Sequence, residues 1–473
     1  MKRVGVDLQD ADHVAKFSKL GYDGIAEDMG ELHNTIPTQI GYKSKRREIF
    51  YPTAELNISS SITIKIKGAA NEFIDINQTR LMGSLRLIKQ NGTEFVAEDI
   101  RHAAIEGGAA APPVGNRDYA FFVNGIGTAW AKECTVLINN QVISQEDNNY
   151  AYKADIENRF LTSNDIKKNE LKSIGYYPEK TSYNPEHLAN ICMDHGANRN
   201  IPLKTRYDKV VGSQLLEFES KIHSPIFDQT KPLPPGTEIT IIFKKNTDDF
   251  LLLGNDVHKI VHGSLSIVAQ FLNTDQEILN EIIKTTLEDP FKYQLRNAVV
   301  QTFSKPQNLM DLSINDLFPA TKILPRRIFV VLVNQYAYTG TRRRDPFLYS
   351  NMSINFAELR IGGQCIPDIQ LKTRLNQLSC LTRACQASLG GRSNGINIDN
   401  YENRNFCLGW DLSPVEALPP LNAYMLPMEE SAQLILHVRE QNDHPITIIV
   451  YAEYESELLM DANGKIIKNE QAL

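Results

Sequence analysis

The sequence predicts a mainly β chain built from two consecutive, similar β-sandwich domains. Apolar residues recur mostly with period two, as on strands that bury one face. One hairpin pattern occurs twice at a constant offset. With 473 residues, the chain exceeds one ordinary domain and accommodates two or three of roughly 100–250 residues each.

Ile62, Ile64 and Ile66 alternate with Thr63, Lys65 and Lys67. Ile239, Ile241 and Phe243 alternate in TEITIIFKK, and Leu434, Leu436 and Val438 in AQLILHVRE. Each run reads as a strand with one buried face. IFVVLV (328–333) and ITIIVYAEY (446–454) are apolar on both faces and suit central strands between covered surfaces. Turn clusters rich in Gly, Pro, Asn and Asp separate the runs. Helices are few. Thr274-Asp-Gln-Glu277 matches a capping box, in which hydroxyl and carboxylate satisfy each other's exposed backbone amides. Ile278, Ile282 and Ile283 then share a face, and Pro290 blocks continuation. Tyr152, Ile156 and Phe160 keep the i, i+4, i+8 spacing of a second helix. The polar stretch from about 163 to 206 shows little periodicity and reads as an extended surface insertion between strands.

CTVLINNQVI (134–143) and AELRIGGQCI (357–366) align at an offset of 223, matching Ile138 to Ile361, Gln141 to Gln364 and Ile143 to Ile366. Each copy places a two-residue turn, Asn139-Asn140 or Gly362-Gly363, between extended runs, and such pairs supply the positive φ of tight hairpins. Leu-Pro-Pro recurs at 233–235 and 418–420, each time ahead of a closing strand pair. Units of about 180–220 residues exceed the roughly 100 of an immunoglobulin-type sandwich. Eight-stranded jelly rolls with long loops account for the size, whereas a propeller needs at least four repeats. The expected organisation is an N-terminal arm (1–45), a first jelly roll (46–274) with inserted loops at about 163–206, a connecting helix (275–289), a second jelly roll (290–460) and a C-terminal tail (461–473).

A net charge of −7 gives no basic excess of the kind a dedicated nucleic-acid binder carries. The apolar share of 42% and charged share of 23% fit a globular protein with sizeable cores rather than a disordered one. No run approaches the roughly 18 apolar residues of a membrane helix. The N-terminus shows no secretory signal, and six cysteines make no disulfide scaffold.

LINNQVISQEDNNYAYKADIENRFL, followed by KKNELKSIGYYPE, resembles the first jelly roll of Polinton (Maverick) and adintovirus-like major capsid proteins. There a hairpin leads to a Y-x-Y-K/R-A-x-x-E helix and a WY/YY segment. Tyr150, Tyr152, Lys153, Ala154 and Glu157 match that pattern. NAVVQTFSK (297–305), LPRRIFVVLVNQYAYTG (324–340), RDPFLYSNMSINFAELRIGGQCIP (344–367) and ITIIVYAEYESELL (446–459) follow in the family's order. The resemblance runs from about 45 to 460, and the first 45 residues match nothing in it. It implies a double jelly-roll subunit of the adenovirus-hexon and tailless-phage lineage. Three copies then form a pseudo-hexameric capsomer of an icosahedral shell around double-stranded DNA. The implied partners are the chain itself, neighbouring capsomers, and penton and minor capsid proteins. The implied location is the virion capsid, assembled in the host nucleus or cytoplasm, without membrane insertion.

No catalytic, cofactor-binding or metal-binding residue is assigned, and an enzyme is not expected. Gly391-Arg-Ser-Asn-Gly395 fits G-x-S-x-G, but a nucleophile elbow needs a strand before it and a helix after it, and loop is expected on both sides. Cys192 with His195, and Cys380 with Cys385, lack the second ligand pair of a structural zinc site. Gly107-Gly108 resembles the sites cut by adenovirus-type maturation proteases, yet sits in a stretch with the composition of a plain loop. Arg342-Arg-Arg344 reads as a charged turn. Lys43, Lys45, Arg46 and Arg47 are the candidate inner-surface contact with packaged DNA, against the plainer reading of a solvated charged segment. Two other function classes compete: a glycan-binding or adhesive sandwich, and a cupin-like jelly-roll enzyme. The first would need an aromatic-lined groove, the second a histidine cluster, and the ten histidines are scattered.

Overall fold

The computed structural model describes residues 41–95, 120–179, 200–254, 257–318, 323–413, 430–439, 442–462 and 464–470. The first half contains β1 (Ser44–Phe50), β2 (Ser61–Lys67), β3 (Glu72–Lys89), β4 (Ala120–Phe122), β5 (Ala131–Ile138), β6 (Gln141–Glu146), β7 (Leu215–Ser220), β8 (Glu238–Lys245), β9 (Leu252–Gly254) and β10 (His258–Asn273). The second contains β11 (Phe291–Lys305), β12 (Asp311–Ile314), β13 (Arg327–Asn334), β14 (Ile354–Ile361), β15 (Gln364–Leu371), β16 (Leu408–Asp411), β17 (Ala432–Val438), β18 (Ile446–Met460) and β19 (Ile466–Glu470).

The first half forms two antiparallel sheets, β1-β10-β3-β7 and β2-β8-β5-β6, with β4 and β9 as a separate ribbon. The second forms β11-β18-β13-β16 and β12-β17-β14-β15, with β19 added beside β18. Counting the eight main strands of each half from one, both halves read 1-8-3-6 and 2-7-4-5. This is jelly-roll order, twice.

Strand alternation explains each sandwich core. Ile62, Ile64, Ile66, Ile239, Ile241 and Phe243 are fully buried between the two sheets of the first half. Leu434, Leu436 and Val438 do the same in the second. β18 is the central strand of its sheet and is buried on both faces from Ile446 to Tyr454. The repeated hairpins are β5–β6 and β14–β15, and their turns have positive φ at Asn139 (47°), Asn140 (67°), Gly362 (55°) and Gly363 (84°).

Five helices matter here: α1 (Tyr150–Phe160), α2 (Ile201–Val210), α3 (Gln276–Thr286), α4 (Arg374–Leu389) and α5 (Ile398–Arg404). Several sequence expectations are corrected. The strands after each Leu-Pro-Pro do not pair with each other: β8 and β10 lie in opposite sheets, as do β17 and β18. The capping box at Thr274 does not form. Thr274 is buried and the helix starts one residue late, with Asp275 at the cap position, making no side-chain cap bond and pairing with Lys43. The 163–206 stretch is not simply a surface insertion. Asn164–Lys168 and α2 are helical, and Lys167, Glu179 and Arg206 are buried. Residues 466–470 of the expected tail form β19, and the preceding loop reaches the first half, where Asn139 Nδ2 donates to Gly464 O at 2.8 Å.

Candidate functional site at the junction of the two sandwiches

The helix marked by Tyr152, Ile156 and Phe160 is α1, and ten of its eleven residues are buried, so it packs on more than one side. Toward the first sandwich, Tyr150 meets Phe243 at 6.3 Å, and its hydroxyl accepts from His223 N at 3.0 Å. Toward the second, Tyr152 stacks on Tyr338 at 5.5 Å and meets the edge of Phe347 at 5.6 Å. Phe160 stacks on Tyr349, and the Arg159 guanidinium lies 4.5 Å over the same ring. Aromatic pairs of this geometry add to the area they bury, and the cation is held against the ring face.

The charged residues of α1 are each held by a partner. Lys153 Nζ donates to Glu146 Oε1 at 2.5 Å and to Ala298 O of the second sandwich at 3.3 Å. Glu157 holds His223 Nδ1 at 2.5 Å and accepts from the Tyr451 hydroxyl of β18 at 3.3 Å. Burial would raise the Glu157 pKa, but its bond to His223 and the nearby lysines bring it down to about 2. Arg159 pairs with Asp155 and donates to Arg404 O at 2.9 Å. Beside them lies a fully buried charge cluster: Arg404 pairs with Asp345 and with Glu179 (3.3 Å), and Glu179 also pairs with Arg206. Burial opposes the Asp345 charge, yet Arg404 and Arg206 hold its pKa below the usual carboxylate value. Glu179 and Arg206 belong to the first half, Asp345 and Arg404 to the second.

Lys167 ties the same seam, with Nζ donating to Asn394 O at 2.6 Å and to Arg159 O. Burial lowers its pKa from the ordinary 10.5 to about 7. Between these values the unfolded chain binds more protons than the folded one, so stability rises with pH across that window and falls as pH drops toward 7. Lys167→Met is expected to flatten that rise. Denaturant midpoints at pH 7 and pH 9 check it: an unchanged slope in the variant would assign the titration elsewhere.

No family model matches the chain. It is 24% identical over 356 residues to the uncharacterized protein F54H12.2 of Caenorhabditis elegans, covering 72% of this chain and 79% of that protein. Among solved structures it is similar to a chain of the Sputnik virophage, with a TM-score of 0.62 and 11% identity over 93% of this chain and 91% of that one. A chain of the PBCV-1 virus capsid gives 0.52 and 9%, over 93% and 100%. The Faustovirus major capsid protein gives 0.50 and 11%, over 95% and 98%. The fold is the double jelly roll of viral capsid proteins.

Within this double jelly roll, the residues singled out by sequence fall in several places. Tyr150, Tyr152, Lys153, Ala154 and Glu157 all lie on α1, so the Y-x-Y-K-A-x-x-E pattern encodes the seam between the two rolls. Lys45, Arg46 and Arg47 lie on β1 with Lys43 just before it, and all four are exposed. Arg46 is held by Glu72 (2.6 and 2.7 Å) and Glu48 and lies over Phe271; Lys43 pairs with Asp275; Arg47 reaches Gln270 at 3.3 Å. Arg342 is not a solvated turn residue. It is buried, pairs with Asp249 at 2.7 Å and donates to His258 O at 2.8 Å, clasping the two rolls.

Ser393 lies between α4 and α5 rather than between loops, and without a preceding strand it has no elbow. Cys380 and Cys385 both lie on α4. Cys192, His195, Gly107-Gly108 and the second Leu-Pro-Pro lie outside the described residues. A cleft of about 790 Å³ opens at the seam, lined by Arg80, Glu157, Lys221, His223, Arg327 and Glu453. His223 lines this cleft with Nδ1 on Glu157 and Nε2 facing the Asn158 amide at 3.5 Å. Among the described residues no three His, Cys, Asp or Glu side chains converge as a metal site. His223, Asp345, Glu179 and Arg404 carry no local sequence signal, since their partners are far away along the chain.

Proposed function

We propose that this chain is a major capsid protein of the Polinton and adintovirus-like group. In this reading three copies form a pseudo-hexameric capsomer, and capsomers tile an icosahedral shell around double-stranded DNA. The supporting observation is the pair of jelly rolls with identical strand order, fixed to each other by a buried seam. Two equivalent barrels in one rigid unit let a trimer offer six similar lateral surfaces, which suits hexagonal packing. The low net charge of −7 lets many copies sit side by side without strong repulsion. The work of the molecule is burial of surface between copies, typically at least about 2,000 Å² in obligate interfaces, and needs no chemistry. Penton and minor capsid proteins are the further partners in this reading, with assembly inside the host cell.

Size-exclusion chromatography with light scattering tests it. Three copies of 53.4 kDa, about 160 kDa, are expected as the stable species. A mass of one chain at every concentration would contradict the proposal.

A further inference from the structure

Each roll begins with a strand at a sheet edge, β1 in the first and β11 in the second. Edge strands expose unpaired backbone groups, and proteins cover or blunt them. The two edges are treated differently. On β11, side chains of the first roll reach alternate carbonyls: Lys231 donates to Lys292 O at 3.0 Å, Gln229 to Gln294 O, Lys153 to Ala298 O at 3.3 Å and Asn149 to Val300 O at 3.4 Å. Tyr293 OH returns a bond to Pro232 O at 2.9 Å. These groups come from the loop ahead of β8 and from the start of α1, the helix that follows the fifth strand. β1 holds the same place in its own sheet, yet among the described residues nothing pairs with it but β10.

The uncovered side of β1 has the makings of an interface. Ile49 is 50% exposed and Tyr51 69% exposed. Strand alternation puts Lys45 and Arg47 on the face of Ile49, and neither forms an ion pair among the described residues. An exposed aromatic and aliphatic pair with Arg47 beside it matches the composition of interface centres, and Lys45 suits the polar rim around one.

We infer that β1 and Tyr51 form a contact surface for a second copy of this chain. The second roll of that copy covers them as the first roll covers β11 within the chain. This rests on the capsid reading and deepens it by naming the strand on which copies meet. In a closed ring of two-barrel chains, junctions within and between chains alternate, and each junction between chains joins a second roll to a first. The matching element of the second roll is the start of α4. It follows the fifth strand there as α1 does in the first, and its Leu375 is 67% exposed.

The test is hydrogen exchange on the full chain across a dilution series, with trimerisation of Tyr51→Asp and Leu375→Asp followed in parallel. Amides of 44–50 are expected to be protected in the trimer and to exchange on dilution. Each variant is expected to weaken trimerisation by roughly 30-fold or more, as loss of an interface anchor does. Both side chains are exposed, so the unfolding midpoints of the monomers should match the wild type. Protection of 44–50 at every dilution assigns the edge to the chain's own first forty residues and overturns the inference. Protection that needs added duplex DNA assigns it to nucleic acid and overturns it as well. So does normal trimerisation of the Tyr51 variant. A wild-type chain that never trimerises overturns the capsid reading itself, a result distinct from the others.

Discussion

Arg404→Ala is expected to destabilise the protein by about 3–5 kcal/mol, the usual cost of removing one partner from a buried ion pair. The side chain is 1% exposed, and its partners Asp345 and Glu179 are fully buried. Alanine takes the charged partner that bridges the two carboxylates, leaving Glu179 with Arg206 and Asn200 and Asp345 with the Phe347 backbone amide and the charge of Arg206. Arg404→Lys keeps the charge but not the planar fork that spans two carboxylates, so an intermediate loss is expected. Because Glu179 and Asp345 come from different rolls, the loss should show first as an early transition in which the rolls separate. Thermal and urea unfolding followed by tyrosine fluorescence would report it. A shift below about 1 kcal/mol would mean that the cluster is solvated and does not hold the seam.

Tyr152→Ala is the second large effect, expected at about 3–5 kcal/mol for an aromatic removed from a packed core. Tyr152 is 1% exposed and touches Tyr338, Phe347 and Phe250, with ring centroids 5.5, 5.6 and 5.8 Å away. Tyr338 and Phe347 belong to the second roll, so truncation opens a cavity inside the seam. Tyr152→Phe separates packing from polarity. The Tyr152 hydroxyl is buried without a hydrogen-bond partner among the described residues, so its removal is expected to be neutral or slightly stabilising. Equal losses in both variants would contradict this account of α1.

Much of the fold is legible in the sequence because strand burial is a local property. Ile62, Ile64 and Ile66 needed only alternation, and IFVVLV only its two apolar faces. The positive φ at Asn139 and Asn140 follows from the residue types that tolerate it. The seam is different. A reading by periodicity sends charged residues to the surface, so Glu179 and Arg206 looked like parts of a polar insertion until Arg404 and Asp345 arrived from the other half of the chain. Resemblance flagged Lys153 and Glu157, but only the structure shows that one reaches Ala298 O and the other meets Tyr451. Helix α4 carries local end signals but no clear helical period. Thr373 caps it by accepting from Asn376 N, and Gly390 ends it with φ 56°. Its buried face is weakly apolar, with Gln377 donating to Leu371 O among small residues, and this blurred the helical period. At Thr274 the local rule lost, because the residue is buried just past the end of β10 and the helix begins after Asp275.

In the proposed capsid reading, two fixed jelly rolls make this chain one third of a six-barrel building block. Electron microscopy of the purified, concentrated full-length protein tests it most directly. The account predicts three-fold particles with six lobes of similar size, some of them joined edge to edge in hexagonal arrays. Isolated two-lobed particles at every concentration would contradict it.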